Sequence, residues 1–239
     1  MPTIRGNHER QISDQPRERM GLSDRHASDH PSAEQLAWLA ALPTTMRPSK
    51  DVLLVHGTPD NDLAYFLETV TEEGLREATR EEVEHRAGTI DAALILCGHT
   101  HLQRVMTLDD GRMIINPGSV GLPAYDGDRP HAHRVESGSP HARYAVLSNE
   151  VGGWAVELLF VVYDWEQAVR DAEAHARTDW SRALRTGRVE HGSIALSKRN
   201  AFWEAVSILK MRTDLRNVTC RRAGKNSWGM SPASTWMKN

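Results

Sequence analysis

One asparagine and four histidines stand in three short strings, Gly6-Asn7-His8-Glu9, Val55-His56-Gly57 and Gly98-His99-Thr100-His101. An amide oxygen together with imidazole nitrogens is a borderline N/O donor set, suited to Mn, Fe, Zn or Ni rather than Ca. Imidazole has a second use, because its ordinary pKa near 6.5 lets it pass protons at neutral pH. Each string alone is a weak signal; their order and their placement after apolar runs make the combination informative. The other histidines have poorer contexts. His131 and His133 sit two apart in a Pro/Gly-rich stretch and read as solvated, while His26, His30, His85, His141, His175 and His191 have no ligand-like surroundings.

The donors need elements to hold them. A first strand is expected to end just before Gly6, leaving Asn7 and His8 at its tip, and 11–30 reads as a polar loop without periodicity. Ser32 with Gln35 forms a capping-box pattern that opens a helix with the apolar stripe Leu36, Trp38, Leu39 and Leu42, stopped by Pro43. The run Asp51 to Val55 is a short apolar strand of the kind buried on both faces, and it delivers His56. Residues 63–67 and 74–78 suggest short helices, and Thr79 with Glu82 caps another that ends at Gly88. A second buried strand, Ala92 to Cys97, leads into Gly98-His99, so the histidines fall outside the carboxyl ends of strands, where open α/β sheets place their sites. Asp109-Asp110-Gly111 joins a hairpin of 104–108 with 112–116. Strands follow at 144–147 and 154–162, with 124–141 between them as an exposed loop, and then helices at 164–176 and 178–185.

Bulk properties bound the answer. The 239 residues suffice for one α/β domain, 1–189, with an appendage, 190–239. From His191 onward nine Lys/Arg face two acids, a net +7, while the rest has 20 basic against 30 acidic residues, a net −10. An acidic body with a basic tail does not resemble a nucleic-acid binder, whose basic residues stripe one folded face. The tail is expected to be disordered in part, with an isolated amphipathic helix at 200–210. No apolar run approaches the ~18 residues of a membrane span, and the polar stretch from Arg5 to Arg25 is unlike a signal peptide, so a cytoplasmic protein is expected. Cys97 reads as core, and with Cys220 it makes no disulfide framework. No Gly-x-x-x-x-Gly-Lys-Ser/Thr string is present, which disfavours a P-loop enzyme. No Gly-x-Ser-x-Gly elbow is present either, which disfavours a serine hydrolase.

Taken in order, and with Asn116-Pro117-Gly118-Ser119 downstream, the strings resemble the later motifs of the calcineurin-like metallophosphoesterase superfamily, in particular its small bacterial phosphodiesterase branch, from Ile4 to about Val162. The resemblance implies an α/β fold, a two-sheet sandwich flanked by helices. It also implies two divalent ions that activate a water against a phosphoester. By motif position, Asn7, His56 and His99 would hold one ion and His101 the other, and His8 would serve the leaving group or the substrate oxygens. Gly6, Gly57 and Gly98 would free space beside a bound phosphate; Glu9, Thr100, Asn116 and Ser119 would support the ligands. In the family an Asp-x-His and a Gly-Asp string precede Gly-Asn-His, and here Met1 stands in their place. The expectation is therefore a domain truncated at its N-terminus, lacking its first strands and holding one metal or none. The substrate class implied is a small or nucleotide-like phosphoester, with a dinucleoside polyphosphate as a narrower alternative. A non-catalytic scaffold is the other, since a retromer subunit keeps this fold for protein binding, and an inactive fragment is a third.

Overall fold

The computed structural model describes residues 2–150 and 153–190. Its centre is a five-stranded sheet in the order β1-β2-β5-β7-β6, formed by β1 (Met46–Ser49), β2 (Val52–Leu54), β5 (Leu94–Leu96), β6 (Gln103–Thr107) and β7 (Met113–Pro117). β2, β5 and β7 run parallel in register, Leu53 beside Ile95 and Ile95 beside Ile114. Their paired positions, Val52–Leu54, Leu94–Leu96 and 113–115, are all apolar because both faces are covered. On one face Leu53, Ile95 and Ile114 pack with Phe66, Leu67 and the Val83 and Ala87 side chains of α4 (Arg80–Ala87). On the other, Val52, Leu94 and Ile115 pack with Leu147, Trp154 and Val156 of the ribbon made by β10 (Ala142–Glu150) and β11 (Gly153–Val161). The expected sandwich is thus present, its second layer being a two-stranded ribbon.

A separate helical core joins the two ends of the described chain. Ile12 of α1 (Asn7–Asp14) and Ala27 of α2 (Leu22–Asp29) meet Val169 and Ala172 of α5 (Trp165–Ala174). They also meet Trp180, Ala183 and Leu184 of α6 (Thr178–Thr186). Asp164 caps α5, and Gly187, in the left-handed region, ends α6. α3 (Ala33–Ala40) carries the Ser32–Gln35 box and α4 the Thr79–Glu82 box as expected. Leu39 is buried in α3, but Trp38 is 45% exposed, so the apolar stripe is narrower than the pattern suggests.

Four expectations are corrected. Residues 2–6 form no strand; Arg5 N–H donates instead to Pro43 O (2.9 Å). The stretch 11–30 is largely helical, because Ile12, Met20 and Ala27 give its polar turns just enough apolar anchors to dock. The segment 63–67 has no helix, and 74–78 falls in a hairpin of β3 (Glu68–Thr71) with β4 (Gly74–Glu77), turned at Gly74, φ +121°. Finally, 124–141 contains the hairpin β8 (Ala124–Gly127) with β9 (His133–Glu136), and buried Ala124, Asp126, His133 and Val135 alternate along it. The extension 191–239, including the helix expected at 200–210 and Cys220, lies outside the described residues. No helix among the described residues is long and apolar enough to cross a membrane.

Candidate metal centre

The parallel ladder continues past the strand ends and carries the first donors with it. Val55 N–H donates to Leu96 O (2.9 Å) and Gly98 N–H to His56 O (2.8 Å), which holds the two histidine-bearing loops side by side. The rings of His56 and His99 lie 5.0 Å apart between centroids. α1 brings the amide: Asn7 Oδ1 stands 2.8 Å from His56 Nε2, and Asn7 is buried. Two donors bound cis to one ion at about 2.1 Å each stand about 3 Å apart, so this spacing fits a shared divalent cation as well as it fits a hydrogen bond. Among the described residues no three His, Cys, Asp or Glu side chains already close on one point. The gathered donors are therefore one amide oxygen and two imidazoles.

Two of the glycines act sterically on the protein's own groups. A Cβ on Gly6 would lie 2.7 Å from the His56 ring, so the absence of a side chain lets that ring seat beside Asn7. A Cβ on Gly57 would meet the carbonyls of Asn61 and Ala64 at 2.5 and 2.6 Å. Around Gly98 a Cβ would find only ordinary contact, so no close approach requires that glycine.

The turn packed on Gly57 supplies a carboxylate that sequence reading missed. Thr58 and Asn61 pair backbone to backbone, and Asp62 follows at once. Its two oxygens accept from Arg10 Nε (2.6 Å) and Nη2 (2.9 Å). Burial alone would raise the Asp62 carboxyl. The Arg10 hydrogen bonds and charge, with smaller pulls from His56 and His99, outweigh burial and hold it below the usual Asp value. The signal was a carboxylate six residues past His56, hidden in an ordinary Pro-Asp-Asn turn.

His8 points elsewhere than Asn7. Its Nδ1 lies 3.0 Å from Asp24 Oδ1 on α2, and Asp24 is buried. A carboxylate accepting Nδ1–H fixes the tautomer in which Nε2 is the basic nitrogen, the arrangement that primes a histidine for proton transfer. Glu9 is a backbone cap: its Oε2 accepts from Gly6 N–H (2.7 Å) at the start of α1.

The Gly98-His99-Thr100-His101 loop is held by side chains. His99 (φ +65°) and His101 (φ +61°) both occupy the left-handed region, which costs an L-residue about 1 kcal/mol or more. Asn116 pins the turn from below, donating through Nδ2 to Gly98 O (2.8 Å) and Thr100 Oγ1 (2.9 Å). Its Oδ1 accepts from Gly118 N–H, and Ser119 Oγ accepts from Gly121 N–H in the following turn. His101 Nδ1 is 2.7 Å from Leu122 O, and its ring lies edge-on to Tyr125, 5.2 Å between centroids. Tyr125 Oη lies within hydrogen-bond distance of both His99 O (3.1 Å) and Tyr65 Oη (3.0 Å), its single proton serving one of them at a time, and Tyr65 Oη in turn meets His133 Nε2 (2.8 Å). His133 is therefore a buried strut, contrary to the expectation of a solvated loop residue, and Gly127 leaves the space its ring fills. Burial pushes the Tyr65 hydroxyl up to about 12, although Tyr125 pulls it back. Beneath the loop Glu68 is buried against Arg104 Nε (2.8 Å); burial raises its pKa against the opposing pull of Thr100 and Arg104.

Nitrogen and oxygen donors gathered beside the ends of a parallel sheet suit a metal centre, and the comparisons supply the class. A family model described as the calcineurin-like phosphoesterase superfamily domain matches residues 1–137, and the chain belongs to that superfamily. Among solved structures, a metallophosphoesterase from Sphaerobacter thermophilus matches at 21% identity with a TM-score of 0.56, over 77% of this chain and 76% of that one. A single mutant of Vps29 from Entamoeba histolytica matches at 18% identity and a TM-score of 0.29, over 51% of this chain and 63% of that one. Vacuolar Protein Sorting 29 from Cryptosporidium parvum matches at 16% and 0.25, over 51% and 58%. The comparison with curated proteins returned no match.

Proposed function

We propose that this protein is a metal-dependent hydrolase of small phosphoesters, with phosphodiesters or nucleotide-like compounds as its substrate class. The observation that carries the reading is the approach of Asn7 Oδ1 to His56 Nε2 at 2.8 Å beside the His99 ring. Asn7, His56 and His99 would hold a divalent ion of the Mn, Fe, Zn or Ni group. Such an ion neutralises phosphoryl oxygens and lowers the pKa of water toward neutrality. His101, oriented by Leu122 O and Tyr125, is the donor nearest in sequence for a second ion. His8, with Nδ1–H directed to Asp24, presents Nε2 as the basic nitrogen that would take up a proton and pass it to a departing oxygen.

The test is turnover of bis(4-nitrophenyl) phosphate with and without Mn²⁺, alongside a His99→Ala control. Metal-dependent release of nitrophenol that the control lacks supports the reading. No turnover with any of Mn²⁺, Fe²⁺, Zn²⁺ or Ni²⁺ would turn it toward a scaffold that keeps the fold without the chemistry.

A further inference from the structure

We propose that Arg10 is a phosphoryl-binding residue of this site, with Asp62 gripping one edge of its guanidinium so that the other edge is available to the substrate's anionic oxygens. The proposal rests on the phosphoesterase reading above for the identity of the anion. Three observations on the molecule carry it.

The first is position. Arg10 lies three residues after Asn7 on α1, and residues at that spacing share a helix face. The second is the anchor. Asp62 belongs to the turn that closes over Gly57, where its backbone carbon stands 3.1 Å from the place a Gly57 Cβ would occupy, directly after His56. The ion pair is thus fastened to the metal-donor region from two sides, by the helix that carries Asn7 and by the turn that follows His56. The third is unspent capacity. A guanidinium has five N–H donors. Asp62 takes two of them, from Nε and Nη2, and Nη1 makes no hydrogen bond among the described residues. The two side chains are 29% and 28% exposed, so the pair is ordered yet reachable.

This arrangement suits a phosphoryl group. The planar fork of arginine matches two phosphoryl oxygens, and a fork already fixed by a carboxylate loses little freedom on binding. The Asn and imidazole donors bring no negative charge, and Arg10 is a cationic side chain tied to them through α1 and through the Asp62 turn. Pairing with Asp62 also offsets the positive charge of Arg10 while no anion is bound.

Inorganic phosphate is the probe, titrated calorimetrically into Mn²⁺-loaded protein, with Mn²⁺ affinity and thermal melting measured on the same samples. Arg10→Ala is expected to weaken phosphate binding about 10- to 100-fold, the range for losing charge-assisted hydrogen bonds, while Mn²⁺ affinity changes less than about twofold. Arg10→Lys keeps the charge without the fork and is expected to recover only part of the loss, so the proposal is tested even where Arg10→Ala melts early. Equal phosphate affinity in wild type and Arg10→Ala overturns the proposal. So does a parallel loss of Mn²⁺ affinity, which would make Arg10 a prop for Asn7. Phosphate binding that depends on Arg10 in a protein with no esterase turnover would sink the enzyme reading alone. Turnover with phosphate binding indifferent to Arg10 would sink this one alone.

Discussion

The two halves of the site are built by different means. His56 and His99 ride on the ends of β2 and β5, where one parallel ladder continues through Val55 and Gly98 and sets their spacing by backbone hydrogen bonds. The other half, His101 with Tyr125, Tyr65 and His133, is set by side-chain hydrogen bonds from a hairpin and a loop more than 20 residues away in sequence. The first half inherits the rigidity of a buried sheet. The second depends on a handful of polar contacts, each with a modest net contribution, so it is where the site should yield first.

Several substitutions sharpen or break that contrast. The largest effect is expected from His99→Ala, which removes a donor on the ladder side. Metal-dependent turnover should fall by more than about 100-fold, beyond the usual 10–100-fold loss for residues that merely orient a ligand, with an unchanged far-ultraviolet circular dichroism spectrum. Next is Gly127→Val on the other side, where even a Cβ would stand 2.6 Å from the His133 ring. Overpacking there should cost about 1–3 kcal/mol in urea unfolding; a neutral result would mean that His133 is not a fixed strut. Tyr125→Phe leaves the ring against His101 and removes the hydroxyl that serves His99 O and Tyr65. Turnover should drop about tenfold with stability nearly kept, and if it does not, the hydroxyl has no part in holding the loop.

The smallest effect is a pH dependence. Tyr65 has an ordinary pKa of 10.0, and burial moves it to about 12 in the fold. The folded state thus favours the neutral hydroxyl. Its contribution is complete below pH 10 and is lost as pH climbs toward 12. Wild type should therefore lose stability more steeply than Tyr65→Phe between pH 10 and 11, measured by urea unfolding at each pH. Matching slopes would place Tyr65 in contact with water.

The same contrast explains what the sequence could reveal. Runs such as Ala92 to Cys97 announce a strand because a strand covered on both faces is apolar at every position, and a glycine followed by histidine marks its end. Ser32–Gln35 and Thr79–Glu82 are complete within four residues, so both helix starts were legible. The β8–β9 hairpin was not, because Asp126 and His133 are buried polar side chains, and the Tyr65 hydroxyl that His133 meets lies 68 residues away in sequence. α1 and α2 were hidden for a related reason: each docks through few apolar anchors against α5 and α6, near the other end of the described chain. In the site, Asn7, His56 and His99 could be named from motif order. Asp62, Asp24, Tyr65 and Tyr125 could not, since nothing local separates a turn aspartate or a loop tyrosine from one that holds a functional group.

The backbone at His99 and His101 carries a further implication. At φ near +60° glycine would sit more comfortably than histidine, so a screen rewarding heat resistance alone should drift toward glycine at both positions and discard the imidazoles. Conformational comfort and donor placement pull in opposite directions there, and any effort to harden this protein would do well to leave those two codons untouched.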